Sequence, residues 1–216
     1  MSTTSNAVSN NQRNAGRTRA RILHAAFKEI HRRGFHGMRL DDVLKSTELT
    51  KGALYYHFPS KLALGYAVVE EVIEEIVLKL WVRPLNESRA PLKTLIDRVE
   101  CLDQLVGEPV ATLGCPLNNL AQEMSPLDEG FRQRLDRVFQ HWHAGLVDAL
   151  ERAKNSGEMH AGVNSTQTAT IIMAAVEGCI GLAKSAQRIE RLQDCTAALA
   201  SYLRTLVAKP ASTAGS

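Results

Sequence analysis

An all-α chain of two parts, a small helical head in front of a larger helical body, is the fold class that the sequence predicts. Three observations predict it. Apolar residues recur at helical spacing along the chain, and no stretch keeps the apolar/polar alternation of a strand. Helix-starting and helix-stopping residues mark short segments first and long ones later. The charge also divides: residues 1–66 hold 11 Lys/Arg against 4 Asp/Glu, whereas residues 67–216 hold 15 against 19. With 44% hydrophobic and 23% charged residues, a chain of 216 residues can bury a sizeable core, which excludes wholesale disorder.

Taken in order, residues 1–16 are Asn/Ser-rich and polar, have no apolar core of the kind a secretory signal needs, and are expected to be a disordered tail of a cytoplasmic protein. From Arg17 to Arg33, Leu23, Ala26, Phe27 and Ile30 follow i, i+3, i+4, i+7, one face of an amphipathic helix, which Gly34 stops. A two-turn helix over Asp41–Ser46 faces Leu40, Val43 and Leu44 inward. Thr47 to Thr50 form a four-residue connection, and Lys51–Phe58 reads as a third short helix with Thr50 as its N-cap. Ser60 caps a longer segment reaching about Leu80, which links the head to the body.

Prolines at 84, 91, 109, 116 and 126 divide the middle of the chain into helices near Leu92–Val106, Leu117–Glu123 and Leu127–Ser156. The last keeps Phe131, Leu135, Val138, Phe139, Trp142, Leu146, Ala149 and Ala153 in helical register until Gly157. Two more helices fit Ser165–Ala186 and Ile189–Val207, and 209–216 is a second tail of a usually mobile composition. The count is about nine helices.

The longest nearly apolar run, Thr168 to Cys179, is short of the ~20 residues that cross a bilayer, so no membrane span is expected. Cys101, Cys115, Cys179 and Cys195 form no C-x-x-C pair and no Cys/His cluster, so free thiols are expected and no metal site is. His141 and His143 flank Trp142 and point to different faces. Neither a catalytic motif nor a cofactor motif occurs: H-E-x-x-H, a nucleotide-binding glycine loop and G-x-S-x-G are all absent, which argues against an enzyme. A pure interaction bundle is the other rival, and it gives no reason for the basic head.

Two short helices joined by a tight turn, behind a supporting helix and with excess positive charge, have the outline of a helix-turn-helix. Leu54 and Phe58, four apart, anchor one face of the third helix and leave Lys51, Gly52, Tyr55, Tyr56 and His57 elsewhere. Glycine costs ~1 kcal/mol against alanine inside a helix, so Gly52 points to something approaching the backbone closely. Tyrosine hydroxyls, an imidazole and helix N-terminal N–H groups suit phosphate, and Lys51 can reach a guanine edge. The competing reading is that both tyrosines are half-buried packing residues and His57 an ordinary surface histidine.

The run Thr50-Lys51-Gly52-Ala53-Leu54-Tyr55-Tyr56-His57-Phe58, followed by Ser60-Lys61 and Leu64, resembles the recognition-helix signature of the TetR family of transcriptional regulators. Ala25, Phe27, Gly34 and Phe35 match the same pattern upstream, so the resemblance covers about 17–66. It implies an N-terminal three-helix helix-turn-helix domain over 17–66 and a C-terminal helical ligand-binding and dimerisation domain over 67–208. By position, Lys51, Gly52 and Ala53 would lie against base edges while Tyr55, Tyr56, His57 and Lys61 hold phosphates. Two departures stand out. Glu48 occupies the usual place of a turn glycine, so either it adopts a left-handed backbone at ~1 kcal/mol or more or the turn differs slightly. Arg39 replaces a capping Ser or Thr, losing a cap but gaining reach to phosphate.

The resemblance further implies double-stranded operator DNA, a homodimer and a small-molecule effector as partners. One helix-turn-helix makes few contacts, so two half-sites ~34 Å apart are the usual solution. Ala174, Gly178 and Gly181, with Ala175, Ala183 and neighbouring Ile and Leu, make the last two helices the candidate dimer interface, ordinary intramolecular core being the alternative. Trp142, Phe139 and Met124 are candidate pocket linings, although each is more often plain core. Gly114-Cys115-Pro116 places Cys115 where a helix begins, a setting that lowers a thiol pKa, so Cys115 is a candidate electrophile or redox sensor, against an inert buried cysteine.

Overall fold

The computed structural model describes residues 4–208, with side chains from Asn14 onward; the expected tail at 209–216 and the first three residues of the expected tail at 1–16 lie outside the described residues. Thirteen α-helices are described, with no strand among these residues beyond one isolated bridge between Met159 and Val207. By compactness the chain divides into two units. One gathers the chain up to Glu75 with Pro116–Asp136, and the other gathers Ile76–Cys115 with the chain from Arg137 on.

In the first unit, α1 covers Thr4–Gly37. The tail expected up to residue 16 is therefore helical from Thr4, because adding residues to a nucleated helix avoids the cost of starting one. Gly34, at φ 75 and ψ 170, breaks the helical path where the stop was expected. Ile22, Leu23, Ala26 and Ile30 are buried and Phe27 is half-buried against His31, so the predicted apolar face holds with Ile22 added. α2 spans Leu40–Thr47, α3 Lys51–His57 and α4 Lys61–Ala67. The hydroxyls of Thr50 and Ser60 accept from the backbone N–H groups of Ala53 and Ala63, at 3.2 and 3.0 Å. Both expected N-caps are made.

The linking segment outruns its expected end near Leu80. After α4 it takes a π-helical turn at Val68–Ile73, continues as α5 (Glu74–Val77), makes a second π-turn at Leu78–Val82, and ends as α6 (Arg83–Glu87). Glu74 and Arg83 donate to carbonyls five residues back, Val69 and Leu78. Pro84 thus falls in the first turn of a new α segment, where its missing N–H costs nothing.

In the second unit, the helix expected over Leu92–Val106 divides at Cys101 into α7 (Pro91–Glu100) and α8 (Leu102–Val106), and α9 (Glu108–Leu113) follows. Arg98 donates to the Leu80 carbonyl at 2.6 Å and Arg152 to the Leu85 and Ser88 carbonyls at 2.7 and 3.1 Å, satisfying acceptors around the irregular segment. α10 (Pro116–Met124) returns to the first unit, and α11 (Glu129–Asn155) starts there and runs on into the second. α12 (Ser165–Ala186) and α13 (Ile189–Arg204) close the second unit. Trp142, 1% exposed, stacks on Trp81 with centroids 5.4 Å apart. Met124 is also buried, but in the first unit.

The expectation of free thiols fails for one pair. Cys179 of α12 and Cys195 of α13 form a disulfide, Cα to Cα 5.4 Å, because the sharp turn at Gln187 brings residues 16 apart side by side. Cys101 and Cys115 are outside it. Among the described residues α12 is the one helix long and apolar enough to cross a membrane by length and composition, a test that core helices also pass. The helix is longer than the Thr168–Cys179 run read from the sequence because it continues past that run on both sides, from Ser165 to Ala186.

Candidate nucleic-acid interface

The turn between α2 and α3 is built locally. Thr47 is buried, its hydroxyl donates to the Val43 carbonyl at 2.8 Å, and its own carbonyl accepts from Arg21 Nη2 of α1 at 2.6 Å. Glu48 then adopts φ 54 and ψ 31, the left-handed conformation expected at this departure, with its backbone N–H on the Leu44 carbonyl. Non-glycine residues pay ~1 kcal/mol or more for that region. Arg39, at the N-cap of α2, makes no side-chain cap bond and is exposed, as expected.

α3 is held from beneath. Leu54 is fully buried and Phe58 2% exposed, and the Arg19 guanidinium of α1 lies 5.0 Å over the Phe58 ring while pairing with Glu71. The Glu71 hydrogen bond raises the Arg19 pKa above its ordinary value despite an opposing contribution from burial. The outer face is open: Tyr55 is 50% and Tyr56 81% exposed, Lys51 and Gly52 are exposed, and Thr50 is exposed around its cap bond. A Cβ added at Gly52 would find only the Thr50 hydroxyl, at 3.9 Å. The exposure of Tyr56 is at odds with a packing role, whereas Tyr55 is half-buried, as the competing reading had it. Ala53 and His57 are half-buried, His57 standing edge-on to Tyr56 with centroids 5.0 Å apart.

Lys51 pairs with Asp41 of α2 at 3.3 Å, both groups largely exposed. Such a surface pair is worth ~1 kcal/mol at most and gives way readily to a stronger acceptor. Lys61 behaves differently. Its ammonium donates to the His36 carbonyl at 3.1 Å and sits 4.9 Å over the Phe35 ring, and burial lowers its pKa, with Glu123 opposing that shift. Its charge is engaged in the corner between α1 and α2, so the structure groups Lys61 with that corner as much as with the outer face of α3.

The same corner contains a residue that sequence reasoning missed. Glu123, near the end of α10, accepts from the backbone N–H groups of Phe35 and His36 at 2.8 and 2.9 Å and from His36 Nδ1 at 2.9 Å. Burial raises its pKa, but the two backbone donors and His36 outweigh burial and hold it below the ordinary carboxylate range. Nearby, Asp128 accepts from the Phe131 N–H and the Tyr66 hydroxyl, both at 2.8 Å, while Arg134 stacks 4.1 Å over the Tyr66 ring and pairs with Glu70. Gly65 is packed against Phe35 and Phe131 with no room for a Cβ. No local sequence signal marks the Glu123 and Tyr66–Asp128 contacts, which join residues 62 to 88 apart.

The other candidate residues lie in the second unit. Ala174, Gly178 and Gly181 are all exposed on one face of α12 beside Ile171 and Leu182, which are 51% and 60% exposed, and a Cβ at either glycine meets nothing within 4 Å. The alternative of intramolecular core is excluded for these three. Cys115 is half-buried, directly ahead of Pro116 at the start of α10. No group of three or more His, Cys, Asp or Glu able to hold a metal occurs among the described residues.

Against known proteins, residues 22–68 match the model of the tetR family of bacterial regulatory proteins, and residues 91–200 match the tetracyclin repressor-like C-terminal domain. The transcriptional regulator LmrA of Bacillus subtilis is 29% identical over 179 residues, covering 80% of this chain and 89% of the relative. The transcriptional repressor DhaR of Mycobacterium sp. (strain GP1) is 25% identical over 148 residues, covering 68% of this chain and 73% of the relative. Among solved structures, a TetR transcriptional regulator from Chloroflexus aurantiacus J-10-FL is 26% identical, covers 90% of this chain and 98% of its own, and superposes with a TM-score of 0.78. The relatives are transcription regulators and not enzymes.

Proposed function

Because the chain belongs to the tetR family of bacterial regulatory proteins, we propose that it is a cytoplasmic homodimeric repressor that binds double-stranded operator DNA through α3 and is released by a small-molecule effector. The observation that carries this reading is the outer face of α3, where Lys51, Gly52, Tyr55 and Tyr56 are presented to solvent over the buried anchors Leu54 and Phe58. Lys51, Gly52 and Ala53 face base edges in this reading. Arg39, Thr50, Tyr55, Tyr56 and His57 hold phosphates, and Lys61 does so from a position already tied to His36.

Dimerisation is supported by the α12 face of Ala174, Gly178 and Gly181, where small residues let a second helix approach and Ile171 and Leu182 supply apolar area. The effector reading rests on the match of residues 91–200 to the C-terminal domain. Within the second unit the buried Trp142 indole N–H has no acceptor, and a bound molecule could supply one. Reversible binding is favoured over chemistry at Cys115, for which nothing beyond its position at a helix start speaks.

The test is selection of duplexes from a random pool by the purified full chain. A motif with twofold symmetry supports the reading. Failure to enrich any sequence at low salt removes it.

A further inference from the structure

We propose that Glu123 is a positioning residue for DNA binding: through its carboxylate, the domain matched as C-terminal holds the α1–α2 corner of the DNA-binding domain in the arrangement that fits DNA. This inference rests on the DNA-binding reading of α3. The carboxylate spans two consecutive backbone N–H groups, Phe35 and His36, and also takes the His36 ring nitrogen. The residue before them, Gly34, has φ 75, and a Cβ there would meet the Glu123 oxygens at 2.6 and 2.9 Å. The corner is thus shaped for this contact by both backbone conformation and lack of a side chain.

What the corner fixes is the start of the recognition unit. Four residues after Phe35 comes Arg39, at the N-cap of α2, and α2 carries Asp41, the partner of Lys51. The carbonyl of the same His36 accepts from Lys61 at the start of α4, so Glu123 and Lys61 clasp one residue from its N–H and C=O sides. Releasing the carboxylate would free both the direction in which the chain enters α2 and the hold on Lys61.

Glu123 is also placed to report on the rest of the chain. It lies outside residues 22–68, on α10, inside the 91–200 match. The chain comes to α10 from the second unit through α9, which has glycines at both ends: Gly107 at φ 71 and Gly114 at φ 85. Element-terminal residues that absorb backbone rotation are the usual hinges. These glycines lie in the second unit, ahead of α10, whereas Glu123 ties α10 to the α1–α2 corner within the first.

The experiment compares the full-length wild type with Glu123→Ala and Glu123→Gln on a duplex selected by the wild type. It reads DNA affinity by fluorescence anisotropy, dimer state by light scattering, fold by circular dichroism, and amide exchange at Phe35 and His36. The alanine variant should lose about tenfold or more in affinity, on the scale of one lost charge-assisted hydrogen bond, with unchanged fold and dimer and faster exchange at both amides. Glutamine keeps one accepting oxygen and should fall between. Folded variants with released amides and wild-type affinity overturn the proposal, and if the alanine variant does not fold, the glutamine variant decides by the same criterion. A wild type that selects no duplex fails the DNA-binding reading itself, a result distinct from equal affinities, and takes this proposal with it.

Discussion

α3 and α12 each leave an unusual face exposed, and the two faces differ in what chemistry can cover them. The seven residues of α3 present Lys51, Tyr55 and Tyr56 around Gly52, a mixture of one cation, aromatic hydroxyls and bare backbone. The twenty-two residues of α12 present Ala174, Gly178 and Gly181 between Ile171 and Leu182, with no hydrogen-bonding side chain in that set. Polar groups on a short helix anchored from below gain most from phosphates and base edges; small apolar residues along several turns gain from another helix at close range. Exposure alone does not separate a nucleic-acid surface from a protein surface. The side chains around the small residues do.

The comparison breaks most visibly at Gly178. Replacing it with leucine fills the space a partner helix would occupy, so Gly178→Leu should give a folded monomer or aggregates and lose operator affinity by about a hundredfold or more, since one helix-turn-helix makes few contacts. Light scattering and anisotropy on the same sample check this. A normal dimer places the interface elsewhere.

On α3 the effects are smaller and of two kinds. Lys51→Ala should relax preference at one or two base positions by ~1–3 kcal/mol each, read by repeating the selection with the variant. An unchanged motif means that Lys51 pairs with Asp41 and reads no base. Tyr55→Phe removes only a hydroxyl from a half-exposed ring and should weaken binding to all sequences alike by ~1 kcal/mol, leaving the motif and dimer intact. Loss of preference at one base would move Tyr55 from phosphate to base contact.

How much of this was legible in the sequence depended on distance along the chain. Thr50, Ser60, Gly34 and Glu48 were readable because a cap, a stop or a left-handed turn is decided within four residues, and each appears where expected. Leu54 and Phe58 followed from spacing alone. The Glu123 contact was invisible because its partners are 87 and 88 residues away and α10 carries no motif. The Cys179–Cys195 bond needed the turn at Gln187, whose left-handed conformation falls on a residue that gives little warning of it. The π-turns at Val68–Ile73 and Leu78–Val82 left no trace in an apolar pattern that still read as one helix. Lys61 was placed by its motif on phosphate, and only the fold reveals its bond to His36.

The smallest effect concerns acid. Glu123 is held below the ordinary carboxylate range by the backbone N–H groups of His36 and Phe35 against the opposing effect of burial, and Asp128 by the Phe131 N–H and the Tyr66 hydroxyl. Each contributes stability that is complete above an unfolded-state pKa of about 4 and is lost as pH falls through the depressed folded value. Acid unfolding followed by circular dichroism should therefore show a shallower loss for Glu123→Gln than for wild type, starting from lower stability at neutral pH. Parallel curves would mean that Glu123 contributes nothing through its charge.

The central claim, that the exposed face of α3 is a DNA surface used by two chains at once, is tested most directly by the stoichiometry of the complex on a selected duplex. Multi-angle light scattering of the wild-type chain bound to that duplex should give two chains per duplex, on a motif whose half-sites are about one helical turn apart. One chain per duplex on an asymmetric site, or no complex at low salt, would contradict it.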